Sequence, residues 1–310
     1  MSNDYDVMII GAGCAGLSAA MYAGRFGLKT ICFGEMPGGT ITTTDAVENF
    51  PGIKSISGLE LGNRLLEHAK EYKVPIKMEK VEAVKKKGAL FELKTDSGEY
   101  VGKTVIFATG TQWRKLGAPG EKELANRGVH YCALCDGAFY KDKKIAVIGA
   151  GDSAAKESQL LCEFGSKVYI IAREEKLSGE PVNVKRALQN KKIELMTLVE
   201  VKEFVGKEKL EGLKLTRKVK PAGEAETDFL KVDAAFIMIG NIAKSELAKE
   251  IGVKLNEKGE IIVDRMANTN LTGVFAAGDV SDGKFKQAIA SVAEGSLAAY
   301  SAYKYLERKG

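Results

Sequence analysis

Polar and apolar residues alternate from Tyr5 and then run apolar to Ile10, the pattern of a strand buried on both faces of a parallel sheet. A helical stretch follows over Leu17 to Phe26. A second short strand, Lys29-Thr30-Ile31-Cys32-Phe33, ends at Gly34-Glu35. The same order returns from Lys144 to Glu175: a strand at Ile145-Ala146-Val147-Ile148, a helix running through Cys162, and a strand at Val168-Tyr169-Ile170-Ile171. Further buried strands are expected at Lys103 to Gly110, at Ala234 to Ile239 and at Thr272 to Val280, and a helix from Gln287 to about Leu306 closes the chain. Glycine and proline gather at Leu116-Gly117-Ala118-Pro119-Gly120, which reads as a crossing between domains. Two strand–helix–strand units in 310 residues predict an α/β protein with two Rossmann-like, dinucleotide-binding domains.

What joins strand to helix in each unit carries the chemistry. The first turn reads Gly11-Ala12-Gly13-Cys14-Ala15-Gly16 and the second Gly149-Ala150-Gly151-Asp152-Ser153-Ala154. The small residues in such turns have separate duties: a tight turn, close approach of backbone to a pyrophosphate, and close helix–strand packing. The helix that follows offers unpaired N–H groups and its positive dipole end to the phosphates. Glu35 and Glu174 stand near the ends of the two second strands, where an acid binds a ribose hydroxyl. Asp279 follows Gly278 at the end of a strand, the edge of an open α/β sheet at which ligands bind.

Composition narrows the class without redirecting it. Apolar residues make up 45% and charged residues 28%, ordinary for a globular enzyme, and the net charge of +5 is spread along the chain. The one dense basic run, Val84-Lys85-Lys86-Lys87-Gly88, has no interleaved aromatic residue and reads as a solvated turn between two strands, not a nucleic-acid site. Apolar runs are too short to span a bilayer, and the polar start, Met1-Ser2-Asn3-Asp4, lacks the pattern of a secretory leader, so a cytoplasmic protein is expected.

Five cysteines, at 14, 32, 132, 135 and 162, include one pair with motif spacing, Cys132-Ala133-Leu134-Cys135-Asp136-Gly137. That spacing suits a redox-active disulfide; it also suits half of a zinc site, to which His130 would add a third ligand. No second pair of the kind exists, so no metal is expected. His130 reads as a loop side chain without a catalytic role, and His68 sits in a charged helix. A helix beginning near Cys135 would lower that thiol's pKa. Asp136 is either a helix-start residue or the acid that relays a proton to a leaving thiolate. Cys14, Cys32 and Cys162 read as packing residues.

A glycine turn, then CxxCDG, then a second glycine turn and Gly278-Asp279 resembles the low-molecular-weight thioredoxin reductases, FAD-dependent pyridine nucleotide-disulfide oxidoreductases of bacteria and archaea. The likeness extends through Gly38-Gly39-Thr40, Val47-Glu48-Asn49-Phe50-Pro51-Gly52 and Lys286-Gln287-Ala288. It implies a nucleotide domain of residues 116–243, carrying the cysteines, inserted into a discontinuous FAD domain of residues 1–115 and 244–310. It implies FAD held by Gly11, Gly13, Cys14, Ala15, Gly16, Glu35, Gly38, Gly39, Thr40 and Asn49, with Thr109, Gly110, Gly278, Asp279, Lys286, Gln287 and Ala288. NADH or NADPH would be held by Gly149, Gly151, Asp152, Ser153, Ala154, Arg173, Glu174 and Gly240. Electrons would pass from the nicotinamide through FAD to Cys132–Cys135, with Cys135 facing the flavin, Cys132 attacking a thioredoxin-like disulfide and Asp136 as acid/base. The resemblance further implies a rotating nucleotide domain and a homodimer.

The chain departs from that pattern at Cys14, where proline is common, at Thr40, where glutamine is usual, and at Ala243-Lys244-Ser245. The largest departure is Ala172-Arg173-Glu174-Glu175-Lys176-Leu177-Ser178, where NADPH-using members carry several arginines near the 2′-phosphate. Charge-assisted hydrogen bonds contribute about 1.5–3 kcal/mol each, so losing two would cost about 3–6 kcal/mol of NADPH binding. Lys176, Lys185 or Arg186 could compensate. Two alternatives follow: the same flavin–disulfide machinery fed by another donor such as ferredoxin, and a non-catalytic zinc- or nucleotide-binding protein.

Overall fold

Strand β1 (Asp4–Ile10) opens the computed structural model of the chain, which describes residues 4–217 and 226–308; Met1, Ser2 and Asn3 of the polar start lie outside it. Contacts divide the chain into two units, Met1–Gln112 with Ile242–Gly310, and Trp113–Asn241. In the first, β1 is followed by α1 (Cys14–Arg25), β2 (Thr30–Phe33), α2 (Gly58–Glu71), β3 (Ile76–Lys77), β4 (Val81–Lys87), β5 (Leu90–Thr95) and β6 (Glu99–Phe107). β7 (Thr111–Trp113) carries the chain out of this unit.

The second unit contains β8 (Val129–His130), α3 (Ala133–Asp136), β9 (Lys144–Ile148), α4 (Asp152–Phe164), β10 (Lys167–Ile171), α5 (Pro181–Gln189) and β11 (Ile193–Met196). After these come β12 (Val199–Val205), β13 (Gly212–Arg217), β14 (Glu226–Leu230) and β15 (Ala234–Ile237). The parallel sheet runs β11-β10-β9-β15-β8, and β12, β13 and β14 form a separate antiparallel sheet. Successive residues of β9 enter opposite cores, Ile145 and Val147 on one face and Ala146 and Ile148 on the other, which is why the strand reads as an unbroken apolar run. The Leu116–Gly120 stretch begins just past the break between the two units, inside the second. The buried carboxylate of Glu121 accepts the N–H groups of Leu116 and Gly117 and the hydroxyl of Tyr131, tying the stretch down.

The chain returns through β16 (Asn241–Ala243) and continues with α6 (Glu246–Glu250), β17 (Val274–Ala276) and α7 (Ala288–Glu307). The first unit's sheet runs β3-β2-β1-β6-β5-β4, and β17 also pairs with β6. One edge of β6 serves two partners: Glu99 to Gly102 pair with antiparallel β5, while Val105 to Phe107 pair with parallel β17. Lys85, Lys86 and Lys87, expected in a turn, are instead the exposed end of edge strand β4; the turn is Gly88 and Ala89, with Gly88 at φ +61°. Lysines there protect an otherwise open sheet edge from pairing with another chain. Among the described residues, no helix is long and apolar enough to cross a membrane.

Helices α1 and α7 meet through small side chains. Ser18 Oγ donates to Val292 O at 2.7 Å, and Ala15, Ala19 and Ala23 share a core with Ala298, Ala299 and Ala302. A Cβ on Gly295 would lie 2.1 Å from Ala15 O, so the two backbones touch there with no room for a side chain. Gly295→Val should therefore destabilise this unit by about 1–3 kcal/mol, the usual cost of overpacking. Urea unfolding followed by circular dichroism checks this: the midpoint should fall, and an unchanged midpoint would show that the helices separate at no cost.

Candidate active site

The first glycine turn is shaped by backbone contact. Gly11 has φ +110°, and a Cβ on it would lie 2.1 Å from Ala108 O; a Cβ on Gly16 would lie 1.7 Å from Gly11 O. Gly13 is the N-cap of α1 and has no side-chain cap, which leaves the first-turn N–H groups open to a ligand. The Gly38 N–H donates to Ala12 O at 2.8 Å, and a Cβ on Gly39 would lie 2.7 Å from Gly13 Cα, so this second glycine pair presses against the turn.

Around the turn lies a cleft of about 800 Å³ whose walls include Gly11, Gly13, Glu35, Gly39, Thr40, Thr109 and Gly110. A smaller one of about 210 Å³ shares Gly13, Thr40 and Gly110 with it and is bounded by Cys14, Ala15, Gly38, Gly278, Asp279, Lys286, Gln287 and Ala288. Of the residues expected to hold FAD, Gly16 serves packing. Asn49 reaches the site through Gln287, whose Oε1 accepts its amide at 3.0 Å. A long cleft with a helix N-terminus in its wall, glycines where a side chain would intrude and an acid at the end of β2 fits a flavin dinucleotide.

Two half-buried carboxylates lie near each other here: Asp279, which lines the smaller cleft, and Glu294 of α7. Burial raises the pKa of Asp279, against the opposing effects of Lys286 and of Ser291, whose hydroxyl donates to Oδ1 at 3.4 Å. Burial also raises Glu294, which accepts the Gly278 N–H at 2.8 Å. Lys286 Nζ donates to Asp279 O at 2.9 Å and to Ser281 O, and lies 3.0 Å from Glu260. Glu294 was missed by motif reading; the signal was an acid within the small and apolar run Ala288-Ile289-Ala290-Ser291-Val292-Ala293 and Gly295-Ser296-Leu297-Ala298. Lys80 and Glu82 also line the large cleft and carry no motif.

The second glycine turn repeats the backbone geometry. Gly149 has φ +143° with its Cβ position 2.1 Å from Met238 O, and Gly151 is the N-cap of α4 without a side-chain cap. Ala154 is buried, Ser153 is exposed in the first turn, and Gly240 turns the chain at φ +91°. Asp152 is turned to structural use: its Oδ1 accepts the Glu180 N–H at 2.7 Å and the Asn183 amide at 3.0 Å, fastening the 178–183 segment beside the turn. Arg173 Nε lies 2.8 Å from Glu174 Oε1, and this bond raises the arginine's pKa.

Cys132 and Cys135 form a disulfide, with Cα atoms 5.3 Å apart. The helix expected near Cys135 begins instead at Ala133, as the single turn α3, and Cys132 is its N-cap, its Sγ accepting the Cys135 N–H at 3.1 Å. The helix end thus favours negative charge on Cys132 rather than on Cys135. Cys132 is 8% exposed while Cys135 is open to solvent. The other cysteines stay protonated: burial pushes Cys14 up to about 12, helped by nearby Asp279, Cys32 up to about 12 and Cys162 up to about 11.

His130, expected in a loop, is a buried residue of β8, because its neighbour Phe236 on β15 offers a ring to stack on. Its Nε2 lies 2.7 Å from Tyr140 Oη and its Nδ1 lies 3.1 Å from Asp136 Oδ2, close but off the line of a well-formed hydrogen bond. Burial lowers its pKa below the usual histidine value, against the opposing effect of Asp136.

The sequence profile of the pyridine nucleotide-disulphide oxidoreductases matches residues 5–295. The chain is 40% identical over 307 residues to the thioredoxin reductase of Bacillus subtilis strain 168, covering 98% of this chain and 95% of that protein. The crystal structure of Lactococcus lactis thioredoxin reductase matches with a TM-score of 0.94 at 36% identity, over 98% of this chain and 99% of that one. The thioredoxin reductase of T. acidophilum matches with a TM-score of 0.92, also at 36% identity and with 98% and 99% coverage. With two glycine-turn units, a dinucleotide-sized cleft and a two-residue-spaced disulfide in one chain, the protein belongs to the pyridine nucleotide-disulphide oxidoreductase family and, within it, to the thioredoxin reductases.

Proposed function

We propose that the protein carries electrons from NADH, at least as readily as from NADPH, through FAD to the Cys132–Cys135 disulfide and on to a thioredoxin-like protein disulfide. The observation that carries this reading is the disulfide capping α3, in a chain with two glycine turns built for dinucleotides. In this reading the unit formed by Met1–Gln112 and Ile242–Gly310 holds FAD, and Trp113–Asn241 holds the nicotinamide nucleotide. The homodimer and the cytoplasmic setting implied by the family resemblance belong to the same reading. Bound FAD supplies two-electron exchange between a nicotinamide and a disulfide.

The chain's own residues divide the remaining work. Exposed Cys135 is the sulfur open to attack, and Cys132 is the better leaving thiolate, because the Cys135 N–H and the start of α3 face its sulfur. That same thiolate then becomes the nucleophile toward the protein substrate, with Asp136, next to Cys135 in sequence, as the proton carrier.

For the donor, Arg173 is already engaged by Glu174, and a 2′-phosphate would have to displace a carboxylate to reach it. A ribose 2′-hydroxyl has no such conflict and finds an acceptor in Glu174. Asp152, bound to the 178–183 segment, acts by holding that segment next to the turn rather than by touching phosphate.

Either Cys132→Ser or Cys135→Ser should abolish thioredoxin reduction while nucleotide-driven reduction of ferricyanide continues, since that electron transfer precedes the disulfide. Cys162→Ala should leave thioredoxin turnover nearly intact. Steady-state assays with both acceptors check this, and wild-type thioredoxin reduction by the Cys132→Ser protein would overturn the reading.

Glu174→Arg combined with Ser178→Arg should shift kcat/KM toward NADPH by at least about tenfold, corresponding to about 1.4 kcal/mol. Steady-state rates with both nucleotides decide the matter. A wild-type preference for NADPH of about a hundredfold or more, equal to about 2.7 kcal/mol, would show that Lys176, Lys185 or Arg186 rebuilds the phosphate site. Negligible activity with both nucleotides would transfer the donor role to a ferredoxin-type protein.

A further inference from the structure

The roles above leave the buried imidazole of His130 unused. Its ring stacks on Phe236, with centroids 5.3 Å apart and planes 26° from parallel, and its two nitrogens face Tyr140 Oη at 2.7 Å and Asp136 Oδ2 at 3.1 Å. An ionised carboxylate only accepts hydrogen bonds, so Nδ1 is the nitrogen that carries the hydrogen beside Asp136, and a small turn of either side chain would align the 3.1 Å contact into a bond. In a neutral imidazole Nε2 is then bare and accepts from the Tyr140 hydroxyl. A single constraint at Asp136 therefore assigns the tautomer and the direction of both contacts. All of these residues belong to the unit Trp113–Asn241.

We propose that His130 is a positioning residue for dithiol–disulfide exchange: its Nδ1–H engages Asp136 Oδ2, so that Oδ1 is the oxygen that takes and gives the proton, while Tyr140 holds the ring in the required tautomer. This rests on the thioredoxin reductase reading. In the reduced protein the Cys132 thiolate attacks one sulfur of the partner's disulfide, forming a mixed disulfide and breaking the partner's S–S bond. The partner's other sulfur leaves as a thiolate. Asp136 Oδ1 takes the proton of the Cys135 thiol. The Cys135 thiolate then attacks Cys132 Sγ, remaking the Cys132–Cys135 bond and expelling the partner's second sulfur as a thiolate. Asp136 Oδ1 returns its proton to one of the partner's two thiolates. One electron pair passes to the partner, which leaves with one thiol and one thiolate, and Asp136 ends as the carboxylate it began.

The titratable groups facing the ring are Asp136 from α3 and Tyr140 from the turn after it, and Asp233, just before β15, acts on Tyr140. Burial favours the neutral ring near neutral pH. As pH falls through the histidine's pKa, both nitrogens become donors. Tyr140 then loses its acceptor, and the positive charge of the imidazolium beside Asp136 opposes transfer of the Cys135 proton to Oδ1.

The test uses dithionite-reduced holoenzyme mixed with oxidised thioredoxin in a stopped-flow instrument across the acidic to neutral range. His130→Phe keeps the stack on Phe236 and removes both nitrogens; it should slow the exchange at least about fivefold, the worth of one ordinary hydrogen bond. His130→Asn offers an N–H near the Nδ1 position from a group that does not titrate. It should recover most of that rate, and the ratio of wild-type to His130→Asn rates should fall as pH is lowered. In an Asp136→Asn background, His130→Phe should cause no further loss, because both changes remove the same function. Equal rates for wild type and His130→Phe, or losses that add in the double variant, overturn the proposal. Failure of the wild-type protein itself to reduce thioredoxin overturns the function reading instead, and this one with it.

Discussion

The candidate flavin site depends on backbone meeting backbone at the start of α1. With Gly11 against Ala108, Gly16 against Gly11 and Gly295 of α7 against Ala15, that helix is seated at three contacts where a single methyl group would not fit. Close seating aims the uncapped first turn at the cleft, and a helix end can stabilise a diphosphate only if its N–H groups are held on target. The abundance of alanine and other small residues in α1 and α7 follows from the same need, because larger residues would separate them. The half-buried acids Asp279 and Glu294 are then held next to that turn by Gly278, Ser291 and Lys286.

The second unit uses the same turn under a different constraint. Gly149 and Gly151 keep the geometry, but Asp152 ties down the 178–183 segment, and Arg173 is paired with Glu174. In the proposed reading, nucleotide preference follows from how the charges around the turn are paired, Arg173 with Glu174, while the turn itself is common to both nucleotides. The disulfide lies in this unit too, and its asymmetry has a local origin: a one-turn helix with a cysteine as its N-cap makes one sulfur a better anion than the other.

Much of this was legible in the sequence for identifiable reasons. Strands buried on both faces leave unbroken apolar runs, as β1 and β9 do, and glycines with φ above zero or touching backbone leave a spacing that other residues cannot imitate. What stayed hidden depended on residues distant in sequence. His130 looked like a loop residue because the ring that buries it, Phe236, lies more than a hundred positions away. The start of α3 was misjudged by two residues because a cysteine is an unusual cap. The lysines of β4 resembled a turn because an edge strand tolerates the same solvated charges. Glu294 belongs to no motif and is recognisable only where α7 brings it beneath Gly278.

In the proposed electron path one chain holds two redox centres in series, a flavin and the Cys132–Cys135 disulfide. An anaerobic dithionite titration of the purified holoprotein, followed by flavin absorbance, counts these centres. Two electron pairs should be taken up per chain, falling to one pair in the Cys132→Ser protein. Uptake of a single pair by the wild-type protein would contradict it.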